Sequence, residues 1–226
     1  MPNFIHKPID LGYDDLVAES TKTGRKYSAP NGVRYPSVTT VLSILNEEHI
    51  QAWRARVGEE EANKISYQAS TRGTAVHSII ENYINNEENY ADGFMPNIID
   101  NFRPMQKVLD KHIGIVHAQE AALYSDHLGL AGRVDCIAEF DGKLSIIDFK
   151  TSRKLKKKEW IENYFVQESA YAIMWEERTG TPITQLVTLI AVDNEEPQIF
   201  IEHRDNWTDK LHETINEYKR RAIFGR

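Results

Sequence analysis

Two aspartates and a lysine interrupt a stretch that otherwise has the composition of a β-hairpin, GRVDCIAEFDGKLSIIDFKTS from Gly132 to Ser152. Asp141-Gly142 separates its two β-rich runs and predicts a two-residue type I′ turn, because both turn positions need a positive φ. The register set by this turn matches apolar residues across the hairpin. The same register places Asp135 directly opposite Asp148 on one face of the sheet.

Two carboxylates at a Cβ separation of about 4.5–5.5 Å repel each other, unless a proton or a cation intervenes. Hard ions such as Mg²⁺ are held by one or two carboxylates together with waters and a substrate phosphate. Lys150 lies on the same face as Asp148, where its ammonium could offset charge on a phosphate or position an attacking water. The alternative is a solvated hairpin in which Asp135 pairs with Arg133 or Lys150, and a bulged turn would also break the register.

Two helical pairs and one strand acid are further candidates for a site. His77 and Glu81 are at i and i+4 beside an apolar stripe, where a histidine can be a metal ligand or a hydrogen-bonded packing residue. Gln167 and Tyr171 have the same spacing on a later helix, whose alternative is a surface with one aromatic ring packed inward. Glu120 lies in the strand before the hairpin and is either a site acid or a solvent-facing one.

A basic run, SRKLKKKEW, follows the second strand of the hairpin directly. Such a run is either a solvated loop or, beside a metal that carboxylates hold, a binding site for a phosphate backbone. Aromatic and arginine residues in or beside the helices of the first seventy residues could roof the site and clamp bases without reading sequence. These residues are Trp53, Arg54, Arg56 and Arg72.

The wider pattern predicts an α/β fold, a mixed central sheet flanked by helices with a helical elaboration at the N-terminus. We expect loops over the first thirty-odd residues, and a helix capped by Ser70 or Thr71 that carries an apolar stripe. Pro104 is expected to kink or split a further helix. The other predicted helices are at about 36–46, 48–57, 59–69, 97–112 and 159–178 and at the C-terminus, and the other predicted strands are at 117–125, 185–192 and 198–203.

Composition limits the classes of protein that the chain can be. With 226 residues and 41% hydrophobic residues, we expect a single domain, 1–226, in which 1–70 covers a core formed by 71–226. The net charge of −7 argues against binding nucleic acid through bulk positive charge. Cys136 is the only cysteine, which predicts a reducing compartment. We also expect no leader peptide and no membrane span, since no apolar run approaches about 20 residues.

Four motifs, RGTAVHSIIE, GRVD, DFKTS and QESAY, occur in the order and approximate spacing of the PD-(D/E)XK nuclease superfamily. The chain resembles the RecB-like branch of this superfamily, and the resemblance runs from about Pro36 to the C-terminus. YPSVTTVL and the final helix are similar to the group formed by mitochondrial genome maintenance exonucleases and their phage-encoded relatives. The resemblance implies a restriction-endonuclease-like fold.

The resemblance also implies roles for the residues that match its motifs. Asp135, Asp148 and Lys150 would be the catalytic group, and one or two Mg²⁺ or Mn²⁺ ions would be the cofactor. The metal ligands would be His77, Asp135, Asp148 and the backbone carbonyl of Phe149, with Glu120 as an additional acid of weaker specificity. Substrate-binding residues would be Gln167, Tyr171, Thr151, Ser152, Arg72, Lys154, Lys156 and Lys157.

Asp148 departs from the family pattern, because many relatives have Glu at this position, and the shorter side chain could alter the preferred ion. The four cysteines of some RecB-like nucleases are absent, so we expect no iron–sulfur cluster. No Gly-x-x-x-x-Gly-Lys-Ser/Thr loop occurs, so we expect no nucleotide cofactor.

The expected function is metal-dependent hydrolysis of DNA by an exonuclease that prefers single strands with a free end, in replication, recombination or repair. The alternatives are a structure-selective endonuclease or nickase, and a catalytically silent nucleic-acid-binding subunit. The expected partners are single-stranded DNA and replication or recombination proteins, with no membrane. We expect a monomer in the cytoplasm of a bacterium or of a phage-infected host.

Overall fold

A computed structural model describes residues 3–225, which form a small N-terminal sheet, a large sheet and six α-helices. The strands are β1 Val17–Thr21, β2 Gly24–Ser28, β3 Arg34–Pro36, β4 Ile113–Ser125, β5 Leu130–Phe140, β6 Lys143–Ser152, β7 Gln185–Val192 and β8 Gln198–His203. The helices are α1 Val38–Leu42, α2 Glu47–Val57, α3 Glu59–Ile84, α4 Pro96–His112, α5 Glu162–Thr179 and α6 Thr208–Phe224. Short 3-10 helices follow α1 and precede α5 and α6.

The large sheet has the order β4-β5-β6-β7-β8, and only β6 and β7 run parallel to each other. This arrangement confirms the predicted mixed sheet. The chain passes from β6 to β7 through α5, as parallel neighbours require a long crossover. β7 and β8 have the bounds that the sequence predicted.

Helices cover both faces of the large sheet, which gives three layers. α3 and α4 pack on one face, and the predicted stripe of α3 is buried there from Val76 to Ile84. α1, α5 and α6 pack on the other face around Trp175, which is fully buried. The large sheet is therefore a rigid platform between two hydrophobic layers.

The prediction of loops over the first thirty-odd residues was wrong, because β1, β2 and β3 form an antiparallel sheet. Their sequences VAEST and GRKYS are mostly polar, so they lack the apolar alternation that indicates a strand. Tyr27 and Tyr35 bury this sheet against Tyr124 of β4.

The prediction of a new helix starting at Ser70 or Thr71 was also wrong, because α3 runs through both residues without a break. The apolar packing of α3 on the sheet decides its length, and the local capping signal is overridden. α4 likewise continues through Pro104, so the helix is not split. Phe102 and Met105 on either side of Pro104 are buried, which holds the two turns together. Among residues 3–225, no helix combines the length and apolarity that a membrane crossing requires.

Candidate active site

The hairpin of β5 and β6 has the predicted turn and, over its first five pairs, the predicted register. Asp141 and Gly142 have φ of 52° and 75°. The paired positions run from Phe140 with Lys143 to Cys136 with Ile147.

The expected pairing of Asp135 directly opposite Asp148 does not form, because the ladder ends one position earlier. Oδ2 of Asp135 accepts a hydrogen bond of 2.8 Å from the backbone N–H of Phe149. A side chain therefore takes the place of a backbone partner, and the ladder of β5 and β6 includes neither acid.

One group of potential metal ligands occurs in the described part of the chain, and it consists of His77, Glu120 and Asp135. Their ligand atoms all lie within 4.8 Å of one another. Nδ1 of His77 is 3.7 Å from Oδ2 of Asp135. Three elements, α3, β4 and β5, thus bring one imidazole and two carboxylates together.

Glu120 has a φ of 47°, which is unusual for a residue in a strand that is not glycine. Arg133 donates a hydrogen bond to the carbonyl of Glu120, and Asp15 holds the other end of this guanidinium at 2.7 and 2.8 Å. Burial, and then the charges of Asp135 and Glu81, raise the pKa of Glu120 to about 7. The pKa of Glu120 therefore lies close to neutral pH while no cation is bound.

Asp148, which is buried, and Lys150, which is partly exposed, form an ion pair beside this group. Asp148 is 2% exposed, its Oδ2 contacts the ammonium of Lys150, and Nε2 of Gln167 donates to its Oδ1 at 3.1 Å. Burial raises the pKa of Asp148, although the charge of Lys150 opposes this.

The ammonium of Lys150 stays charged at neutral pH. Burial lowers the pKa of Lys150, but the charges of Asp148 and Asp135 outweigh burial and raise it. The ring of Tyr164 adds a cation–π contact, with its centroid 5.0 Å from Nζ. The solvated hairpin that was the alternative does not occur.

The glycine of GRVD is explained by its neighbour Tyr171. A Cβ at Gly132 would lie 2.9 Å from Cε1 and from the hydroxyl of Tyr171, which is itself buried. The glycine of RGTAVH is different, since a Cβ at Gly73 would meet only Oγ1 of Thr151, at 3.8 Å. Tyr171 therefore packs on the backbone of β5 beside Asp135.

Two further residues of α5 contact this site and were not singled out from the sequence. Tyr164 holds Lys150, and the fully buried Glu168 accepts a hydrogen bond from Thr188 while its Oε2 has no partner. Burial and the charge of Asp148 raise the pKa of Glu168. Tyr164, Gln167, Glu168 and Tyr171 have i, i+3, i+4 and i+7 spacing, which is the signal that could have found them.

The residues predicted to bind substrate have varied surroundings. Arg72 is held by Asp193, with its Nη1 2.6 Å from Oδ1 and 2.5 Å from Oδ2. Oγ of Ser152 bonds to the backbone of Lys154, and the backbone of Lys156 pairs with Gln198. Among the roof residues, Arg54 donates to Glu59 at 3.1 Å.

The predicted roles of these residues in substrate binding remain predictions. The same holds for the carbonyl of Phe149 as a metal ligand. Lys157, which is exposed, has its ammonium 5.3 Å from the ring centroid of Trp160.

The sequence profile of the PD-(D/E)XK nuclease superfamily matches residues 48–225. The chain therefore belongs to this superfamily, as its four motifs predicted.

Named relatives are similar to parts of the chain. Mitochondrial genome maintenance exonuclease 1 of Mus musculus is 30% identical over 129 residues, which cover 54% of this chain and 38% of the mouse protein. The same protein of Xenopus tropicalis is 28% identical over 170 residues, which cover 69% of this chain and 46% of the frog protein. The chain thus spans less than half the length of these curated relatives.

A solved structure also has similarity to the chain. It belongs to a candidate exonuclease from Eubacterium rectale, with a TM-score of 0.44 and 15% identity over 69% of this chain and 66% of that one.

Proposed function

We propose that the chain is a DNA exonuclease that depends on a divalent metal ion and prefers single strands with a free end. The observation that carries the proposal is the convergence of His77, Glu120 and Asp135 beside the ion pair of Asp148 and Lys150. A structural ion pair alone would not need three more ionisable ligands next to it. The names of the similar curated proteins, which are exonucleases, add support.

The residues fit a divalent ion by the chemistry of their donor atoms. Carboxylate oxygens suit Mg²⁺ and Mn²⁺, and an imidazole is a ligand that Mn²⁺ also accepts. His77, Glu120 and Asp135 would hold the ion, and Asp148, whose Oδ2 contacts the ammonium of Lys150, is a further acid beside them. When bound, the ion supplies positive charge that polarises the scissile phosphate.

The other groups of the chain orient the site and carry charge. Gln167 fixes one oxygen of Asp148, and Asp148 and Tyr164 hold the ammonium of Lys150 between them. This ammonium is partly exposed and keeps its proton, so it is suited to stabilising the negative charge that develops on a phosphate under attack. Preorganised charge of this kind costs no reorganisation at the moment of reaction.

The preference for an unpaired strand is supported by aromatic side chains near Lys150, since stacking on rings holds bases without reading sequence. Because the net charge is acidic, we propose that the chain binds the phosphate backbone locally, through the basic run. We also propose that residues 1–70 roof the site. A role in replication, recombination or repair, association with proteins of these processes, a monomeric state and a cytoplasmic location also remain parts of the proposal.

One assay tests the proposed activity. The purified chain is incubated with Mn²⁺ or Mg²⁺ and single strands labelled at either end, linear and circular, with and without a chelator. We expect degradation of the linear strand alone, and none with the chelator. Rapid attack on circles would favour the endonuclease, and binding without cleavage would favour the silent subunit.

A further inference from the structure

We infer that a cavity between α2 and the start of α5 is a base-binding subsite, in which a nucleobase of an unpaired strand stacks beside the Lys150 ammonium. This inference rests on the proposed function and names where that substrate is held. The cavity has a volume of about 490 Å³. Its walls include Trp53 and Ile50 of α2 on one side and Trp160 and Tyr164 on the other.

The cavity explains an anomaly of α2. The structure describes all eleven residues of this helix, and none of them is buried. Ile50 is 47% exposed, although it and Trp53 are apolar and face the cavity. A helix normally buries its apolar residues against the protein, so these two residues indicate that another molecule covers them.

Trp160 gives the same indication from the opposite wall. Its side chain is 63% exposed, on a short 3-10 helix that contains no buried residue in the described chain. A large ring held out at the edge of a cavity contributes little to folding. It is, however, the group that stacks on bases in proteins that bind single strands.

Charge favours a nucleotide as the occupant. Two of the rings that line the cavity each carry a lysine ammonium, because Lys157 lies 5.3 Å from the centroid of Trp160 and Lys150 lies 5.0 Å from that of Tyr164. Cations beside aromatic walls match a strand, in which phosphates alternate with bases. Glu159 also lines the cavity, so the interior suits an uncharged base better than a phosphate.

The cavity adjoins the candidate active site, because only the side chain of Tyr164 separates it from Lys150. Tyr164 lines the cavity and contacts Lys150, and Lys150 contacts Asp148. A base stacked on this wall would therefore bring the phosphate of its own nucleotide towards the ammonium. The cavity is large enough, since ligand pockets commonly measure about 300–1,000 Å³.

The test measures binding in chelator, so that it does not depend on cleavage. The probes are a fluorescent oligothymidylate and a strand of equal length whose sugars carry no bases. We expect Trp160→Ala to weaken binding of oligothymidylate by about fivefold to 150-fold, the range that the loss of one stacked base gives. Trp160→Phe should restore most of the affinity. Neither variant should change binding of the strand without bases.

Two exposed aromatic residues outside the cavity test whether the loss is specific to the cavity. Tyr67 is 74% exposed and lies in a separate groove between α3 and α4, and Phe224 is 72% exposed near the C-terminus. Phe224→Ala should bind oligothymidylate as the wild type does, and Tyr67→Ala tests the groove beside Arg72. A loss with Tyr67→Ala and none with Trp160→Ala would place the strand in the other groove and overturn the inference.

Cleavage of linear oligothymidylate with Mn²⁺ is measured separately for the wild type. If the wild type cleaves but Trp160→Ala and Trp53→Ala bind normally, the subsite is wrong and the nuclease stands. An equal loss of both probes would also overturn the subsite, because it indicates contact with the backbone. If the wild type cleaves no DNA but the loss specific to bases is seen, the subsite stands and the proposed activity is wrong.

Discussion

Replacing Gly132 by alanine tests the packing that supports the aspartate of β5. The new Cβ would lie 2.9 Å from Cε1 and the hydroxyl of Tyr171, closer than carbon atoms approach in folded proteins. Tyr171 is buried, so its ring cannot turn away into solvent. Overpacking of this kind costs about 1–3 kcal/mol of the free energy of unfolding. For a domain of this size that lowers Tm by roughly 2–12 °C.

Gly73→Ala is the matched control, because its Cβ would meet only Thr151 Oγ1 at 3.8 Å. Alanine is favoured over glycine inside a helix by about 0.5–1 kcal/mol, so this variant should raise Tm by roughly 1–4 °C. Scanning calorimetry of both variants in chelator shows whether each substitution lowers or raises Tm.

A double-mutant cycle then identifies Tyr171 as the cause. In a Tyr171→Leu background the clashing atoms are absent, so Gly132→Ala should cost much less than in the wild type. An equal cost in both backgrounds would refute this explanation of the glycine.

Three other variants test single contacts of the site. Lys150→Ala should lower the cleavage rate by at least about a hundredfold while Mn²⁺ binding persists, and near-normal turnover would remove the lysine from the mechanism. Thr188→Val removes the donor to buried Glu168 with little change of shape and should cost about 1–3 kcal/mol in a denaturant titration; an unchanged midpoint would mean that Glu168 finds another donor. The folded protein holds the proton of Glu120 more tightly than the unfolded chain does, since burial raises this pKa from 4.5 to about 7. Stability in chelator should therefore fall as the pH rises through that range, and less so in Glu120→Gln; the same fall of Tm in both proteins would contradict this.

The register of the hairpin could be predicted because its information is local. Asp141-Gly142 needs positive φ at both positions, and this turn alone determines which residues of β5 and β6 face each other. What could not be predicted is where the ladder ends. The side chain of Asp135 replaces a backbone acceptor at Phe149, and this competition depends on three-dimensional geometry.

Elements whose stability comes from tertiary contacts were the ones that the sequence described poorly. β1 and β2 are polar strands, and Tyr27 and Tyr35 pack their sheet against the larger one. No alternation of apolar and polar residues predicts these strands. α3 continues past Ser70 because its apolar face lies on the sheet. Glu120 was a candidate ligand from the sequence, but the sequence gives no sign of its positive φ.

Calorimetric titration with Mn²⁺ of the wild type and of Asp135→Asn tests the central claim most directly. Asparagine keeps the shape of the side chain and an oxygen that can accept the hydrogen bond from Phe149, so only the charge and the ligand are lost. Asp141→Asn, on the exposed turn of the same hairpin, is the matched control. The account predicts that the wild type and Asp141→Asn bind the ion and that Asp135→Asn does not. Equal binding by all three proteins would contradict it.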